Sequence, residues 1–119
     1  MIQGSSIAPE IVKQVAEQVA GKEKVLVILD SNHTHDHVLR EMECYSPFVS
    51  KDSYLLVFDT VVEDLPEDIY NDRPWGIGNN PKTAVREFLA SNADFIIDHQ
   101  IDDQLLISVA PDGFLKRIK

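Results

Sequence analysis

Two aspartates directly follow short apolar runs. Asp30 follows the run at residues 25–29, and Asp59 follows the run at residues 54–58. Apolar runs of this length are typical of strands buried on both faces, and the helical pattern between them predicts a βαβ unit. Because a right-handed crossover returns the chain in the same direction, both carboxylates should lie at one edge of a parallel sheet. A single aspartate after a strand is more often a cap or loop residue, but the repetition favours a site for a hard divalent cation.

Three histidines follow the first of these aspartates, since His33, His35 and His37 lie within five residues. They could be metal ligands, a general base or solvated loop residues, and a lone histidine is usually structural. The facial triad of iron oxygenases is disfavoured, because its closely spaced His-x-Asp form is absent. His33, three residues after Asp30, is the better candidate for a base that accepts a proton from a metal-polarised hydroxyl. No G-x-S-x-G elbow supports a serine nucleophile, so Ser31 is expected to shape this loop rather than react.

Periodicity and turn signals predict the elements that must hold these residues. Helices are predicted over residues 9–20, 35–45 and 81–91, with Glu41 on the more exposed side of the second helix. Strands are predicted at residues 25–29, 54–58, 95–97 and 105–109, with one more ending at Gly4-Ser5-Ser6 and a short packed extension at 114–118. The long segment 61–80 contains Trp75, which favours an ordered lid over a mobile linker.

Composition limits the class of protein. The 119 residues suffice for one domain, and a hydrophobic content of 44% is normal for a chain that buries a core. A formal charge of -9 argues against nucleic acid or an anionic membrane as a partner. Cys44 is the only cysteine, which excludes an intrachain disulfide and a Cys-based zinc site and favours a reducing compartment. Without a membrane-length apolar run or a signal-peptide pattern, the expected location is the cytoplasm.

Three stretches of the sequence resemble one known family: LDSNHTHDHVLREMECYSPFVSKDSYLLVFDT, GIGNNPKTAVREFL and APDGFLKR. They are similar to the cephalosporin hydroxylase-like family and its rhamnosyl O-methyltransferase relatives, which have the class I S-adenosylmethionine-dependent methyltransferase fold. The resemblance spans most of the chain. It implies an α/β fold with a truncated Rossmann-like sheet, mostly parallel with an antiparallel strand near the C-terminus. The implied strand order is 4-5-7-6 of the full fold, with helices on both faces.

The resemblance also implies a metal site and a base. In this family and in the related catechol-type methyltransferases, the acidic residues that end the fourth and fifth strands bind magnesium. Those roles carry over to Asp30 and Asp59. Thr60 falls where the catechol-type enzymes have a third oxygen ligand, usually asparagine, and His33 falls where they have a lysine base.

Cofactor and acceptor contacts are implied in the same way. Gly4, Ser5 and Ser6 match the turn that contacts the adenine of S-adenosylmethionine, and Ser31 is assigned to the same cofactor. The acceptor, a small molecule or a saccharide, is expected to contact His35, His37 and Trp75.

The resemblance covers only the C-terminal half of that fold. The Gly-rich cofactor loop and the ribose-binding acidic residue of such enzymes lie on their first two strands, and this chain begins at about the third. Residues 1–119 are therefore expected to be one partial domain that lacks half of the cofactor pocket. The strand from Val25 to Leu29 loses the neighbour that would cover its edge, and a bare apolar strand is an association hazard. Either two chains pair as a homodimer through that edge, or the polypeptide is a fragment of a longer protein.

Three functions remain open from the sequence. The first is an S-adenosylmethionine- and Mg2+-dependent O-methyltransferase half-domain acting on a sugar or secondary-metabolite hydroxyl, with inactivity of the truncated chain as one expected outcome. The second is a non-catalytic remnant that serves as a structural or dimerisation module. The third is a cephalosporin-type hydroxylase that uses iron, which rests on the family's name and on the histidine cluster alone.

Overall fold

The apolar runs before Asp30 and Asp59 form neighbouring strands in the computed structural model, which describes residues 1–119. β1 (Val27–Leu29) and β2 (Tyr54–Val57) pair in parallel, and each strand is shorter than the apolar run that predicted it. Because both strands point the same way, the two aspartates follow them at the same edge of the sheet.

Two further strands, β3 (Phe95–Ile97) and β4 (Phe114–Arg117), complete a four-stranded mixed sheet. The spatial order is β1-β2-β4-β3, and β4 runs antiparallel to both of its neighbours. Three strands therefore point in one direction and β4 in the other. This arrangement confirms the expected α/β fold and the 4-5-7-6 order of a truncated Rossmann-like sheet.

The four α-helices are α1 (Pro9–Val19), α2 (His35–Tyr45), α3 (Pro81–Ser91) and α4 (His99–Leu105). Three short 3-10 helices occupy Ser46–Phe48, Thr60–Asp64 and Glu67–Tyr70. α3 has the clearest start signal, because the Asn80 side chain accepts hydrogen bonds from the backbone N–H groups of Lys82 and Thr83 and completes a capping box. The three helices predicted from the sequence are confirmed, and α4 is an addition. None of the helices combines the length and the apolar character that crossing a membrane requires.

One apolar core lies between the sheet and the helices α2 and α3. Leu55 and Leu115 from the sheet and Met42 from α2 are completely buried in it, and Val85 of α3 is 1% exposed. Side chains alternate along a strand, so Ile28 of β1 and Ile96 of β3 lie on the opposite face, where they are 53% and 47% exposed. That face of the sheet is therefore half open to solvent at the two edge strands.

The predicted strand at residues 105–109 is wrong. Leu105 ends α4, and Leu106 and Ile107 are 85% and 91% exposed. Leu106 has a φ of 63°, which strand residues do not adopt. Periodicity cannot assign so short an apolar run, and the polar stretch before it forms α4. β4 occupies the place in the sheet that was predicted for residues 105–109, although this part of the chain was expected to be only a packed extension.

The predicted strand ending at Gly4, Ser5 and Ser6 is also wrong, because residues 1–6 contain no strand. The carbonyl of Ser5 accepts a hydrogen bond from the N–H of Ala8, which leads directly into α1. A strand needs a neighbour to satisfy its backbone groups, and no strand other than β2 lies beside β1 to begin such a pairing.

Candidate functional site

The carboxyl ends of β1 and β2 bring three titratable side chains together. Asp30 follows β1, Asp59 follows β2 with Phe58 between, and His33 lies in the loop from β1 to α2. One metal-ligating atom from each of the three lies within 4.8 Å of the others. His33 Nε2 and Asp59 Oδ2 share a hydrogen bond of 2.6 Å. Asp30 is exposed and the other two are partly buried, so a ligand can reach the cluster from solvent.

The donor set of this cluster fits a divalent cation. Two carboxylates offer the oxygen ligands that Mg2+ prefers. Asp59 uses Oδ2 for His33, which leaves Oδ1 for a cation. Asp59 also has a left-handed backbone with a φ of 58°, a conformation that aspartate adopts more readily than most residues, at the turn that follows β2. Thr60 is fully buried, and its hydroxyl donates to the carbonyl of Pro111 at 2.6 Å.

His33 and Trp75 lie together in a pocket of about 460 Å³. Their rings stack with centroids 4.7 Å apart and an interplanar angle of 23°. The guanidinium of Arg73 lies 5.5 Å from the Trp75 ring, at cation–π distance. Burial, together with the nearby charge of Asp59, raises the pKa of Tyr70 in the same pocket. The remaining lining residues are Asp59, Val61, Val62, Leu65 and Ile69.

The segment that carries Trp75 is fastened to the domain by Glu63. The Glu63 carboxylate accepts a hydrogen bond from the N–H of Gly78 at 2.8 Å and another from the side-chain amide of Asn80, and it lies 3.4 Å from Arg86. Burial acts to raise the pKa of Glu63, but the two hydrogen bonds and the Arg86 charge outweigh it and lower the pKa below its ordinary value. One carboxylate thus joins the two ends of the loop.

The other two histidines have different partners. His35 contacts α3, with Nδ1 at 2.8 Å from Thr83 Oγ1 and Nε2 at 3.0 Å from Glu87. His37 Nε2 lies 3.2 Å from Ser6 Oγ. Neither histidine lines the pocket of His33 and Trp75. Of the residues assigned to the acceptor, the structure therefore brings only Trp75 to His33.

A groove of about 350 Å³ runs along the free side of β1. Ser6 and Ser31 line it near the carboxyl end of the strand, and most of its other lining residues are apolar. Gly4 and Ser5 precede Ser6 in the chain but do not line the groove. Two of the four residues assigned to the cofactor therefore share one cavity.

Two charged residues that line these cavities were not predicted from the sequence. Glu41 was expected on the exposed side of α2, but it is 2% exposed and lines the groove beside β1. Its spacing of four residues from His37 was the available signal, because such pairs meet on a helix. Arg73 had no comparable signal, since it lies in an irregular loop whose path periodicity does not predict.

A second group of metal-ligating atoms comes from His99, Asp102 and Asp112. The ammonium of Lys82 lies 3.5 Å from Asp112 and 2.6 Å from Asp64. This buried lysine already neutralises carboxylate charge in and beside the group. The group is therefore an ion-paired cluster.

The comparisons with known proteins agree on one family. Residues 1–118 match the family model described as Rhamnosyl O-methyltransferase/CmcI. Proteins named Rhamnosyl O-methyltransferase from Mycobacterium bovis (strain BCG / Pasteur 1173P2) and Mycobacterium tuberculosis (strain ATCC 25618 / H37Rv) are each 31% identical over 120 residues. These alignments cover 98% of this chain and 46% of each relative, so the chain spans about half the length of the relatives it matches. No solved structure matches.

Proposed function

The chain belongs to the rhamnosyl O-methyltransferase/CmcI family, and we propose that it is the metal- and acceptor-binding half of an O-methyltransferase. In this proposal it uses S-adenosylmethionine and Mg2+ to methylate a hydroxyl of a saccharide or a secondary metabolite. The observation that carries the proposal is the meeting of Asp30, His33 and Asp59 beside the Trp75 pocket, in a chain of this family. The name of the relatives, rhamnosyl O-methyltransferase, favours a saccharide among the acceptors.

Asp30 and Asp59 would hold the cation through carboxylate oxygens. Mg2+ bound there would polarise the acceptor hydroxyl as a Lewis acid. Thr60 stays a proposed third oxygen ligand, because a hydroxyl that donates its proton to the Pro111 carbonyl keeps its oxygen lone pairs for a cation. The role of Asp59 is then double, since one carboxylate oxygen serves the cation and the other fixes His33.

His33 would receive the proton of the acceptor hydroxyl. Its Nε2 is occupied by Asp59, so the base is Nδ1, which has no hydrogen-bond partner within the chain. A carboxylate on one ring nitrogen selects the tautomer with the lone pair on the other and stabilises the imidazolium that forms. S-adenosylmethionine, when bound, supplies the methyl group and keeps the electron pair of the broken carbon–sulfur bond on its sulfur.

The pocket of Trp75 would bind the acceptor. Its apolar lining and aromatic ring suit the C–H face of a sugar, while Arg73 offers donors to ring oxygens or hydroxyls. Because Trp75 stacks directly on His33, an acceptor held against the indole lies next to the base. Ser6 and Ser31 are assigned to the cofactor on the other side of Asp30, in the groove beside β1.

Calorimetry of the purified chain with S-adenosylmethionine, in the presence and absence of Mg2+, tests the proposal. We expect binding, followed by Mg2+-dependent transfer of a labelled methyl group to a rhamnose-containing glycoside when both ligands are present. A chelator should abolish the transfer. Absence of S-adenosylmethionine binding under both conditions would refute an enzyme that acts as this chain alone.

A second candidate function is a non-catalytic dimerisation module. The observation that favours it is the free edge of β1, beside which Leu26 and Ile28 are half exposed. An unpaired apolar strand is a template for another chain, so two copies would form a homodimer through the edge from Val25 to Leu29. In this case the chain dimerises but binds neither S-adenosylmethionine nor Mg2+, and the same calorimetry separates the two candidates.

A further inference from the structure

Glu41 carries a buried carboxylate that the chain satisfies only in part. The residue is 2% exposed on α2, and its Oε1 accepts a hydrogen bond from Ser31 Oγ at 2.6 Å. Its Oε2 is buried without any hydrogen-bond partner. A buried carboxylate oxygen left unpaired is costly, and native proteins satisfy most such atoms. The arrangement therefore indicates a missing hydrogen-bond donor.

The neighbouring side chains do not supply that donor. His37 Nε2 lies 3.6 Å from Oε1, the oxygen that Ser31 already serves, and it is closer to Ser6 Oγ, at 3.2 Å. The hydroxyl of Tyr45 donates to the Ser6 carbonyl at 2.6 Å. A donor for Oε2 must then come from outside these residues.

The surroundings of Glu41 are those of a binding site. Glu41, Ser31 and Ser6 line the groove beside β1, and nine of its 13 lining residues are hydrophobic. A concave and mostly apolar cavity with a few convergent polar groups is the usual form of a small-molecule site, and about 350 Å³ is within the usual size range. Ser31 follows β1 directly after Asp30, at the strand end where open α/β sheets bind ligands.

Resting on the proposed use of S-adenosylmethionine, we propose that Glu41 determines the specificity for its base by accepting a hydrogen bond from the exocyclic amine of adenine. The apolar walls cover the faces of the purine, and the amine supplies the donor that Oε2 lacks. A purine with a carbonyl at that position turns an acceptor lone pair toward the carboxylate and leaves Oε2 unpaired. Sites built around a buried hydrogen bond reject such analogues strongly.

A backbone N–H from a second copy is the competing occupant. A strand added to β1 bonds to the backbone groups of its free edge, which belong to residues 26 and 28. Glu41 and Ser31 lie past the last residue of β1, Leu29, so a strand in register with β1 does not need this carboxylate. The position of Glu41 past the end of β1 therefore favours the cofactor over a neighbouring strand as the source of the missing donor.

Calorimetry of the full chain with adenosine and with inosine tests this inference. Inosine replaces the exocyclic amine by a carbonyl, and we expect it to bind at least about tenfold more weakly than adenosine. Glu41→Gln should abolish the preference. Glu43→Gln is the matched control, because Glu43 is on the same helix but is half exposed and paired with Arg40. N6,N6-dimethyladenosine, which has no donor N–H, should bind the unaltered chain as weakly as inosine, so the test does not depend on the folding of a variant.

Each other outcome overturns the inference. Equal binding of adenosine and inosine, no binding of adenosine, or a preference that survives in Glu41→Gln assigns Glu41 no part in base recognition. A change in self-association of Glu41→Gln with an unchanged nucleoside preference assigns the carboxylate to a subunit contact instead. If S-adenosylmethionine binds and methyl transfer occurs while the base preference is absent, only this inference fails and the proposed function stands.

Discussion

At His33, one ring nitrogen and one ring face are already occupied. Asp59 binds Nε2, and Trp75 stacks on the ring. These two contacts fix both the tautomer and the orientation of an imidazole that stands in a loop, and they leave Nδ1 for a substrate. The chemistry proposed for this residue therefore depends on a strand end and on a loop that is distant in sequence.

The residues at strand ends were predictable because apolar runs and right-handed crossovers have few geometric solutions. Asp30, His33 and Asp59 meet as that reasoning predicts. The spacing of Glu41 from His37 indicated only their contact along α2. The contacts of His35 with α3 and the burial of Glu41 beside the groove were not predictable, because they depend on how the helices pack in three dimensions. A helical pattern predicts which side chains share one face of a helix. Which other elements bury that face depends on the tertiary structure.

Gly113 supplies a stability prediction at the scale of one residue. A Cβ built on Gly113 lies 2.2 Å from the carbonyl oxygen of Val57 and 3.0 Å from that of Ala110, so backbone would have to move. We expect Gly113→Ala to lower the free energy of unfolding by about 1–3 kcal/mol, measured by urea denaturation. Gly76→Ala is the control, since its Cβ meets nothing closer than 3.7 Å, and equal stability of the two variants would contradict this account.

Among the elements, the loop 61–80 and the strand β4 are the two whose structure the sequence pattern predicted least well. The loop contains two 3-10 helices, and Glu63 joins its ends. β4 pairs with β2 and β3 on both sides, although its sequence, Phe-Leu-Lys-Arg, has little of the apolar character of a central strand. The more apolar residues 105–109 do not form this strand. The Pro111-Asp112-Gly113 turn lies against the end of β2, so the residues that follow the turn pair with β2 instead. Long-range pairing of this kind leaves no signal in local periodicity.

The loop has a predicted pH dependence. Because the folded structure lowers the pKa of Glu63, its carboxylate stabilises the loop above the ordinary pKa of about 4.3, and this contribution is lost as the pH falls through the lower folded-state value. Trp75 is the only tryptophan and reports the loop by its fluorescence. We expect an acid transition in the unaltered chain at a pH below the ordinary pKa of a glutamate.

In Glu63→Gln the loop should be destabilised at neutral pH by about 1–2 kcal/mol, and the acid transition of Trp75 should be absent. Glu67→Gln is the control, because Glu67 is an exposed residue of the same loop. An acid transition of equal size in Glu63→Gln would show that another group controls the loop.

The whole molecule is a sheet with one covered face and two edge strands, β1 and β3. Helices α2 and α3 bury the first face, whereas Ile28 and Ile96 are half exposed on the other. The half-exposed apolar side chains and the unpaired backbone groups of β1 favour the homodimer of the second candidate function, since both remain to be covered.

Ile28→Lys tests that association. Leu29 offers its carbonyl to Phe58 next to β2, so by strand alternation the backbone groups of Ile28 point to the free edge. A lysine here places like charges together in a paired edge, and we expect the dimer dissociation constant to rise at least about tenfold in sedimentation experiments. Ile77→Lys is the control, because Ile77 is 51% exposed in the loop. A monomeric unaltered chain would contradict the prediction, as would an Ile28→Lys variant that dimerises normally.

Titration with Mn2+, followed by electron paramagnetic resonance, most directly tests the central claim that the ends of β1 and β2 form a cation site. We predict binding that Mg2+ displaces, and a loss of affinity of at least about tenfold in both Asp30→Asn and Asp59→Asn. Asp36→Asn, which alters an exposed carboxylate of α2, should bind as the unaltered chain does. Unchanged Mn2+ affinity in Asp30→Asn and Asp59→Asn would contradict the account.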